Sequence, residues 1–413
     1  MSAAIRAQTA ANLNYDDHRD MKAAQLQLVA RTMSLHPDGR RVPVVVTGSE
    51  FPSGLALLRA VHAGGDAPIA AVTRPDAMGA LSRAAHAVEV VQDPSDDPAA
   101  FVRDVGAVAV RHGAAVLPGT EPALWALAHH RDQLPASVVA GCPSAAVVDR
   151  ILAKGALGEL AAAGGLRTPP TRVLTAESAY GWDGGFPAVV KPLSSHVPQV
   201  DGTMEHGLVL SVPDGSGLAS ALAGLPGGRG LVQPYLVGDQ RTVDGLAWDG
   251  EVIAVAQKTG DRTWPRDAGV LSYGRIVRSD PDLERCCREM LADACWSGLF
   301  NLQFLDAPGG RFLIDFNPRA WNSLAVEVEA GANMPAAWVD LLLGRPVRPA
   351  VPRLGRRFRS EIDDARSLWA AWRSGQRSAA VRGLRPRRHT SHAIFSWTDP
   401  APAMHVLWRR GYY

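Results

Sequence analysis

The pattern of apolar and polar positions changes near residue 148 and divides the chain into two parts. In the first part, the apolar run VPVVVTG at residues 42–48 is typical of a buried strand, followed by a glycine turn and a helical pattern at residues 54–65. Further strand ends, IAAVTR, AVEVV and AAVLPGTE, recur at intervals that suit βαβ units. We therefore predict a doubly wound α/β domain over residues 41–148, preceded by an N-terminal extension over residues 1–40.

In the second part the strands become shorter and turns more frequent. A helical pattern over residues 149–165 opens it, and a helix over residues 327–344 comes late. Between them, apolar runs bounded by turn residues predict the hairpins of an antiparallel sheet: FPAVVKP, HGLVLSV, GLVQPYL, TVDGLAWDGEVIAVAQK, FNLQFLD and GGRFLIDFN. The sequence WDGE at residues 248–251 is typical of an Asp-Gly hairpin turn.

Composition is that of an ordinary globular protein. The 413 residues are 46% hydrophobic and 20% charged, which suffices for two or three domains with normal cores. The formal net charge of +2 gives no bulk field that would attract nucleic acid or anionic lipid. We therefore expect a small-molecule partner, with no nucleic acid and no membrane.

The C-terminal part, from about residue 347, is rich in proline and arginine. Its basic runs RLGRRFRS and RGLRPRRHT are the only support for nucleic-acid binding, and such runs more often form solvated surface or contacts between lobes. The intervening segment EIDDARSLWAAWRSG has an amphipathic pattern, which predicts a helix that buries Trp369 and Trp372. We therefore interpret residues 347–413 as a small folded appendage.

Two absences in the sequence bear on location. No stretch of about 18 apolar residues and no signal-like N-terminal segment occurs, so we predict a cytoplasmic protein. The four cysteines lack the spacing of a zinc site or of a disulfide framework, which favours reduced thiols.

The stretch FLIDFNPRAWN, residues 312–322, carries the strongest chemical signal. Asp315, Asn317 and Arg319 alternate, so an extended backbone sends all three side chains to one face. The glycine turn DAPGGR returns the chain antiparallel, which brings Gln303 beside them. One carboxylate and two amide oxygens make a hard site suited to magnesium or manganese, and the Arg319 fork is suited to a phosphoryl group or an acyl phosphate.

Two lysines and one proline suggest where a nucleotide binds. Lys191 ends an apolar strand, where a phosphate partner would offset the cost of burying an ammonium, although such a lysine also commonly extends to solvent. Lys154 lies within a predicted helix and on its own carries a weaker signal. In GLVQPYLVG, the carbonyl of Pro234 and the N–H of Leu236 match the edge of an adenine ring.

Taken together, Lys154, Lys191, QPYLVG, NLQF and DFNPR resemble, in this order and spacing, the ATP-grasp superfamily of carboxylate–amine ligases. The similarity is greatest to the branch of carbamoyl phosphate synthase large chains and biotin carboxylase, and DFNPR matches that branch's E-x-N-P-R. The resemblance covers about residues 42–346. It implies a pre-ATP-grasp α/β domain, then an ATP-grasp fold of two antiparallel-sheet lobes over residues 149–346, with a mobile lid lobe at about 166–232.

The resemblance also implies roles for individual residues. Those expected to bind ATP are Lys154, Lys191, Ser194, Ser195, Gln233, Pro234, Tyr235, Leu236, Asp239 and Gln240. Those expected to hold magnesium or manganese are Gln303, Asp315 and Asn317, and those expected to be catalytic are Arg319 and Lys258. The implied reaction phosphorylates a small carboxylate with ATP and transfers the acyl group to an amine, and the family allows a homodimer.

The sequence leaves other interpretations open. VVVTGSEFPSG and Arg74 suggest an NADP-binding oxidoreductase, but the glycines are spaced G-x5-G instead of G-x-G-x-x-G. A non-catalytic nucleotide-binding regulatory protein is the other alternative. Arg262, Trp264 and Arg266 are interpreted either as a substrate-carboxylate site or as a hairpin cap.

Overall fold

The computed structural model describes residues 41–194, 196–198, 204–206, 209–266, 269–347 and 350–409. The strands are β1 Pro43–Thr47, β2 Ala67–Val72, β3 Ala87–Val90, β4 Ala115–Leu117, β5 Arg172–Thr175, β6 Ala188–Lys191, β7 His196–Pro198, β8 Met204–His206, β9 Leu210–Val212, β10 Arg229–Pro234, β11 Asp239–Trp248, β12 Glu251–Trp264, β13 Val270–Val277, β14 Gly298–Ala307, β15 Gly310–Asn317, β16 Arg357–Arg359 and β17 Thr390–His392. The α-helices are α1 Pro52–Ala63, α2 Met78–Leu81, α3 Pro98–His112, α4 Glu121–His129, α5 Ala145–Leu152, α6 Leu157–Ala163, α7 Gly215–Ala223, α8 Pro281–Asp293, α9 Leu324–Ala330, α10 Met334–Leu342, α11 Glu361–Arg373, α12 Arg377–Leu384 and α13 Ala401–Arg409.

The first described domain is a parallel sheet in the order β3–β2–β1–β4, with helices between its strands. Its central strand β1 is buried because Val44, Val45 and Val46 are all apolar, as expected for a strand covered on both faces. Gly48 ends this strand with a φ of +74°, and a Cβ on Gly54 would lie 2.0 Å from the Gly48 carbonyl oxygen. The two glycines therefore permit a tight strand-to-helix turn, and the predicted α/β class is confirmed.

The second region is an antiparallel sheet in the order β5–β10–β6–β9, against which α7 packs. It has an apolar core of its own, which includes Leu174, Val190, Leu222 and Val232. This region overlaps residues 166–232, for which the resemblance predicts a lid lobe.

The largest sheet has the order β15–β14–β11–β12–β13–β16–β17. Asp249 and Gly250, with φ of 47° and 81°, form the predicted turn between β11 and β12. The strands β16 and β17 come from the C-terminal part, so the appendage extends this sheet at its edge. Among the described residues, no helix combines the length and apolarity needed to cross a bilayer.

Two predicted helices are interrupted. The one over residues 149–165 is split into α5 and α6 by a 3₁₀ turn, Lys154–Ala156, because the Lys154 N–H bonds to the Leu193 carbonyl outside the helix. The one over residues 327–344 is split into α9 and α10 by Gly331, which has a φ of +102°.

The prediction that α11 buries its tryptophans is also wrong. Trp369 and Trp372 are 63% and 43% exposed, whereas Ser367, Leu368 and Ala371 are buried. The helix is turned this way because Asp364, on its buried face, pairs with Arg262 and Arg359.

Candidate active site

Direct pairing across four strands of the large sheet places polar side chains in two adjacent rows. The first row crosses β12, β11, β14 and β15 and consists of Lys258, Thr242, Gln303 and Asp315. The second row crosses β11, β14 and β15 and consists of Asp244, Asn301 and Asn317. Directly opposed residues of antiparallel strands point to the same side of a sheet, so both rows lie on one polar face.

A β-bulge interrupts this pairing beside Asp315. Gln303 pairs with Asp315, but the next pair is Phe304 with Leu313, which leaves Ile314 unpaired in the register. The Ile314 carbonyl then accepts a hydrogen bond of 2.8 Å from the Nζ of Lys191. The bulge therefore links the first row to the four-stranded antiparallel sheet.

Lys154 reaches the carboxylate of Asp315 from the 3₁₀ turn between α5 and α6. Its Nζ lies 3.2 Å from Asp315 Oδ1. Burial alone would lower the pKa of Lys154, but the carboxylates of Asp315 and Glu121 more than offset this effect and raise the pKa. Lys154 therefore stays protonated and can meet an anion.

Lys191 is in a different electrostatic state. Its burial lowers the pKa to about 8, with Asp315 opposing the shift and Lys154 adding to it. Its hydrogen-bond acceptor is a neutral carbonyl, so the ammonium lacks a full counter-charge close by. A phosphate at this point would supply one.

Arg319 lies at the junction between the two domains. Its Nε is 3.3 Å from Oε1 of Glu121, the first residue of α4 in the parallel-sheet domain. Its Nη2 donates to Asn317 Oδ1 at 3.3 Å, and its Nη1 donates to the Ala320 carbonyl. These contacts hold the guanidinium beside the second row.

The donor set fits a hard divalent cation. Gln303 and Asn317 each direct their amide nitrogen to Asn301 Oδ1, at 3.2 and 3.0 Å, which turns their amide oxygens away from Asn301. Asp315 adds a carboxylate that an ammonium already neutralises in this structure. One carboxylate and two amides suit magnesium or manganese. In the described part of the chain no group of three histidine, cysteine, aspartate or glutamate side chains is placed to hold a metal.

A single cavity of about 900 Å³ joins these groups to the predicted adenine site. The predicted site residues that line it are Lys154, Lys191, Gln233, Pro234, Tyr235, Leu236, Asp239, Gln240, Gln303, Asp315, Asn317 and Arg319. Apolar residues such as Val189 and Leu305 line it as well. The cavity therefore combines a charged region with apolar surface for a flat ring.

The segment predicted to contact adenine, residues 234–236, begins at Pro234, the last residue of β10. Pro234 pairs with Ala188 of β6, and pairing with β5 has already ended at Val232, so the missing N–H of proline costs no ladder bond on that side. The Tyr235 N–H donates to the Pro187 carbonyl at 3.1 Å. Pro234 and Leu236 remain predicted adenine contacts.

The other predicted ATP-binding side chains near residues 234–236 differ in exposure. The Gln233 side chain is buried and donates to Thr171 Oγ1 at 2.9 Å. Gln240 is buried too, and its Oε1 has no hydrogen-bond partner among the described residues. Asp239, also among the residues expected to bind ATP, is exposed at the start of β11.

Two of the predicted residues that the structure describes, Lys258 and Ser194, are not brought to the cavity. Lys258 was expected to be catalytic, but it is 0% exposed, is ion-paired with Asp244 and Glu327, and does not line the cavity. The reason is that α9 places a carboxylate directly over the lysine. Ser194 does not line the cavity, and Ser195 lies outside the described residues.

The hairpin residues left open by the sequence contact the appendage. Arg262 pairs with Asp364 of α11, and its guanidinium stacks 4.2 Å from the Tyr273 ring centre. Arg266 donates to Ser374 and Gln376, which are both neutral. These contacts brace the β12–β13 hairpin against the appendage. Both arginines also line the cavity, which agrees with either interpretation of the sequence.

Sequence reasoning missed several residues of this site. Glu121 is 5% exposed and follows a parallel strand, where ligand sites of α/β sheets occur, so the strand end PGTE could have indicated it. Asp244, Asn301 and Glu327 gave no such signal, because only the strand register and the helix break bring them together.

Features that favoured a dinucleotide site have structural explanations. Arg74, the proposed 2′-phosphate contact, pairs with Asp76 at 3.6 Å. The glycines of the G-x5-G stretch shape the turn after β1, as described above. In RLGRRFRS, the first of the basic runs considered for nucleic acid, Arg353 donates to the backbone carbonyl of Glu329 and Arg359 pairs with the Asp364 carboxylate.

Comparison with known proteins gives one family and one fold. The family model described as ATP-grasp in the biosynthetic pathway with Ter operon matches residues 229–361. No curated protein sequence matches the chain significantly.

Solved structures resemble the chain over about three quarters of its length. N5-carboxyaminoimidazole synthetase from Staphylococcus aureus is 11% identical with a TM-score of 0.58, covering 76% of this chain and 80% of that one. L-amino acid ligase from Bacillus licheniformis is 14% identical with a TM-score of 0.55, covering 77% and 78%. Biotin carboxylase from Campylobacter jejuni, in a β-γ-ATP complex, is 14% identical with a TM-score of 0.58, covering 77% and 75%.

Proposed function

We propose that this chain, which contains an ATP-grasp domain, is an ATP-dependent ligase that activates a substrate carboxylate and couples it to an amine. The observation that carries the proposal is the convergence of Lys154, Lys191 and Arg319 on the oxygen donors around Asp315 in one cavity. Three cations and a hard metal site suit phosphoryl transfer, which needs positioning and charge neutralisation more than a protein nucleophile.

ATP would lie between the two antiparallel sheets. The backbone of Pro234 and Leu236 would bind the adenine, and Lys154 and Lys191 would contact the phosphates. Gln303, Asp315 and Asn317 would hold magnesium, which neutralises charge on the β- and γ-phosphate oxygens when bound. Two of the similar structures support this arrangement by their ligands, since one contains ADP and another contains MgADP.

The reaction would proceed in two steps. A carboxylate oxygen of the substrate attacks the γ-phosphorus, the bond to ADP breaks, and an acyl phosphate forms. The amine nitrogen then attacks the carbonyl carbon, the phosphate leaves with that carboxylate oxygen, and the nitrogen loses a proton. Arg319 is suited to the acyl phosphate because its planar fork can meet two oxygens at once.

Labelled substrate tests this proposal directly. Small carboxylates and amines, including pairs of amino acids, are screened for ADP release, and the active pair is repeated with oxygen-18 in the carboxylate. We expect one labelled oxygen in the released phosphate, and we expect Asp315→Asn to lower the rate by about a hundredfold or more. Unlabelled phosphate during amide formation would rule out the acyl phosphate.

Measurements of ATP and NADPH binding, made alongside this screen, separate the alternatives. Tight ATP binding without ADP release for any pair would favour a regulatory nucleotide-binding protein. Tight NADPH binding without ATP binding would favour the oxidoreductase.

A further inference from the structure

A buried ionic cluster lies directly beside the proposed metal site. Asp244, Lys258 and Glu327 are all 0% exposed. The Lys258 ammonium pairs with Asp244 Oδ2 at 2.9 Å and with the Glu327 carboxylate. Burying two carboxylates and one ammonium is expensive, and replacing such groups by apolar side chains often stabilises a protein, so stability alone explains the cluster poorly.

The cluster fixes the direction of a hydrogen-bond chain. An ionised carboxylate can only accept hydrogen bonds, so Asn301 must turn its amide nitrogen toward Asp244, and Asn301 Nδ2 donates to Asp244 Oδ1. Thr242 Oγ1 donates to the other carboxylate oxygen at 2.6 Å. The Asn301 amide oxygen then faces the opposite way, where it accepts from both Asn317 and Gln303.

This direction matters because an amide has nearly the same shape when its oxygen and nitrogen are exchanged. A cation needs the oxygen, and a reversed amide would present an N–H group to it. With Asn301 held as described, Gln303 and Asn317 both give their nitrogen to Asn301 and keep their oxygen for other partners. Asn317 Oδ1 already accepts from Arg319 at 3.3 Å.

We propose that Asp244, kept in place by Lys258, is a positioning residue that orients the metal-binding amides of Gln303 and Asn317 through Asn301. The inference rests on the proposed function, which assigns those two amides to the metal. It gives Lys258 a role that does not require contact with the nucleotide, in agreement with its complete burial.

The decisive variant is Asp244→Asn, which keeps the shape but allows the amide chain to reverse. Binding of Mn²⁺ to the ADP complex is measured by electron paramagnetic resonance, and ADP binding without metal is measured by calorimetry. We expect Mn²⁺ affinity to fall 10- to 100-fold, as for other residues behind metal ligands, with ADP affinity unchanged within about twofold. Unchanged Mn²⁺ affinity in the folded variant overturns the proposal.

A matched control uses the neighbouring strand position. Gln257 is as buried as Lys258 but lies on the opposite face of β12, where its amide bonds to the Asp280 backbone. Gln257→Met therefore removes a buried amide without touching the hydrogen-bond chain, and we expect unchanged Mn²⁺ affinity. Loss of Mn²⁺ binding in this control as well would show a general packing effect and contradict the positioning role.

A second variant guards against misfolding. Asp244→Asn leaves Lys258 and Glu327 as a buried ion pair, so the triple variant Asp244→Asn, Lys258→Met, Glu327→Gln removes all three charges and leaves no buried ion unpaired, and we expect the same loss of Mn²⁺ affinity. If both variants unfold, the cluster is a stability element and the positioning role is rejected. If the wild-type protein does not bind Mn²⁺ with ADP, the proposed function fails first, which distinguishes the two failures.

Discussion

At the scale of single residues, the two lysines near Asp315 differ in how strongly they retain the proton that a phosphate would contact. Lys154 has a carboxylate at 3.2 Å and a raised pKa, so it is charged before any ligand arrives. Lys191 bonds to a carbonyl, and burial lowers its pKa to about 8. Lys191 is therefore mostly protonated at pH 7 but loses its proton as the pH rises above about 8, unless an anion stabilises the ammonium.

This difference predicts a pH dependence of nucleotide binding. Above pH 8 the free protein progressively loses the Lys191 proton, and the nucleotide phosphates must restore it. Affinity for a non-hydrolysable ATP analogue should therefore fall with rising pH, by up to about tenfold per pH unit. Calorimetry at pH 8.5 in buffers of different ionisation enthalpy should detect proton uptake on binding.

Lys191→Met provides the comparison. It should bind the analogue about 10- to 100-fold more weakly than the wild type at pH 7, since a charge-assisted contact is lost. Its affinity should change little with pH, so the two curves converge above pH 8. A parallel pH dependence in both proteins would show that another group titrates.

The sequence was informative about residues of this kind where the signal is local. The alternation of Asp315 and Asn317 needs only the period of a strand, and β15 contains both residues, whereas Arg319 follows the end of that strand. Lys258 also follows an apolar run, but its predicted role came only from the family resemblance. Nothing local in the sequence indicated that Glu327, 69 residues later, covers Lys258.

At the scale of elements, the β12–β13 hairpin depends on the C-terminal appendage. Asp364 of α11 is 1% exposed and pairs with Arg262 of β12 and Arg359 of β16. Both guanidinium groups also lie over the ring of Tyr273. The hairpin wall of the cavity is therefore held by a helix outside the matched ATP-grasp strands.

Asp364→Asn tests this brace, the contact of α11 with the β12–β13 hairpin. Removing the shared carboxylate leaves two partly buried guanidinium groups without their anion, which should destabilise the protein by about 3 kcal/mol. The end of the β12–β13 hairpin should then move. We therefore expect a higher KM for the carboxylate or the amine substrate, with little change in nucleotide affinity. Urea denaturation and steady-state kinetics measure the two effects.

An exposed ion pair serves as control for the brace. Asp183, whose side chain is 83% exposed, pairs with Arg172 in the smaller antiparallel sheet region. Asp183→Asn should change neither stability nor KM measurably, because exposed pairs contribute little. Equal effects of the two substitutions would argue against a specific role for Asp364.

Elements were predicted well where their period and turns are explicit in the sequence. The Asp-Gly turn between β11 and β12 is one example, and the parallel strands are another. Breaks were missed when their cause is distant, as at Lys154, whose N–H bonds to Leu193. The bulge at Ile314 depends on the pairing of β15 with β14, so the sequence could not reveal it either.

At the scale of the whole molecule, the domain boundaries in the sequence do not coincide with the apolar cores. One core combines Val45 and Phe101 of the parallel-sheet domain with Trp296 and Phe300 of the large sheet. A second core also joins these regions and includes Phe358 of the appendage. Among the described residues, only the β5–β10–β6–β9 region has a core that is separate. Periodicity predicts where the pattern of elements changes, but shared cores depend on packing between elements distant in sequence.

This distribution of cores predicts two cooperative units in native-state hydrogen exchange. Backbone amides of β1 and β14 should exchange with one common, high free energy of opening, because their side chains share a core. Amides of β6 and β10 should open at a lower free energy, since their core is small and separate. A non-hydrolysable ATP analogue with magnesium, at 100 times its dissociation constant, should raise that lower value by up to about 2.7 kcal/mol if the region must close on the nucleotide. The matched comparison is the same experiment with Lys191→Met, where the analogue at the same concentration should protect β6 and β10 less. Separate exchange of β1 from β14, or equal protection of all four strands by the analogue, would contradict this division.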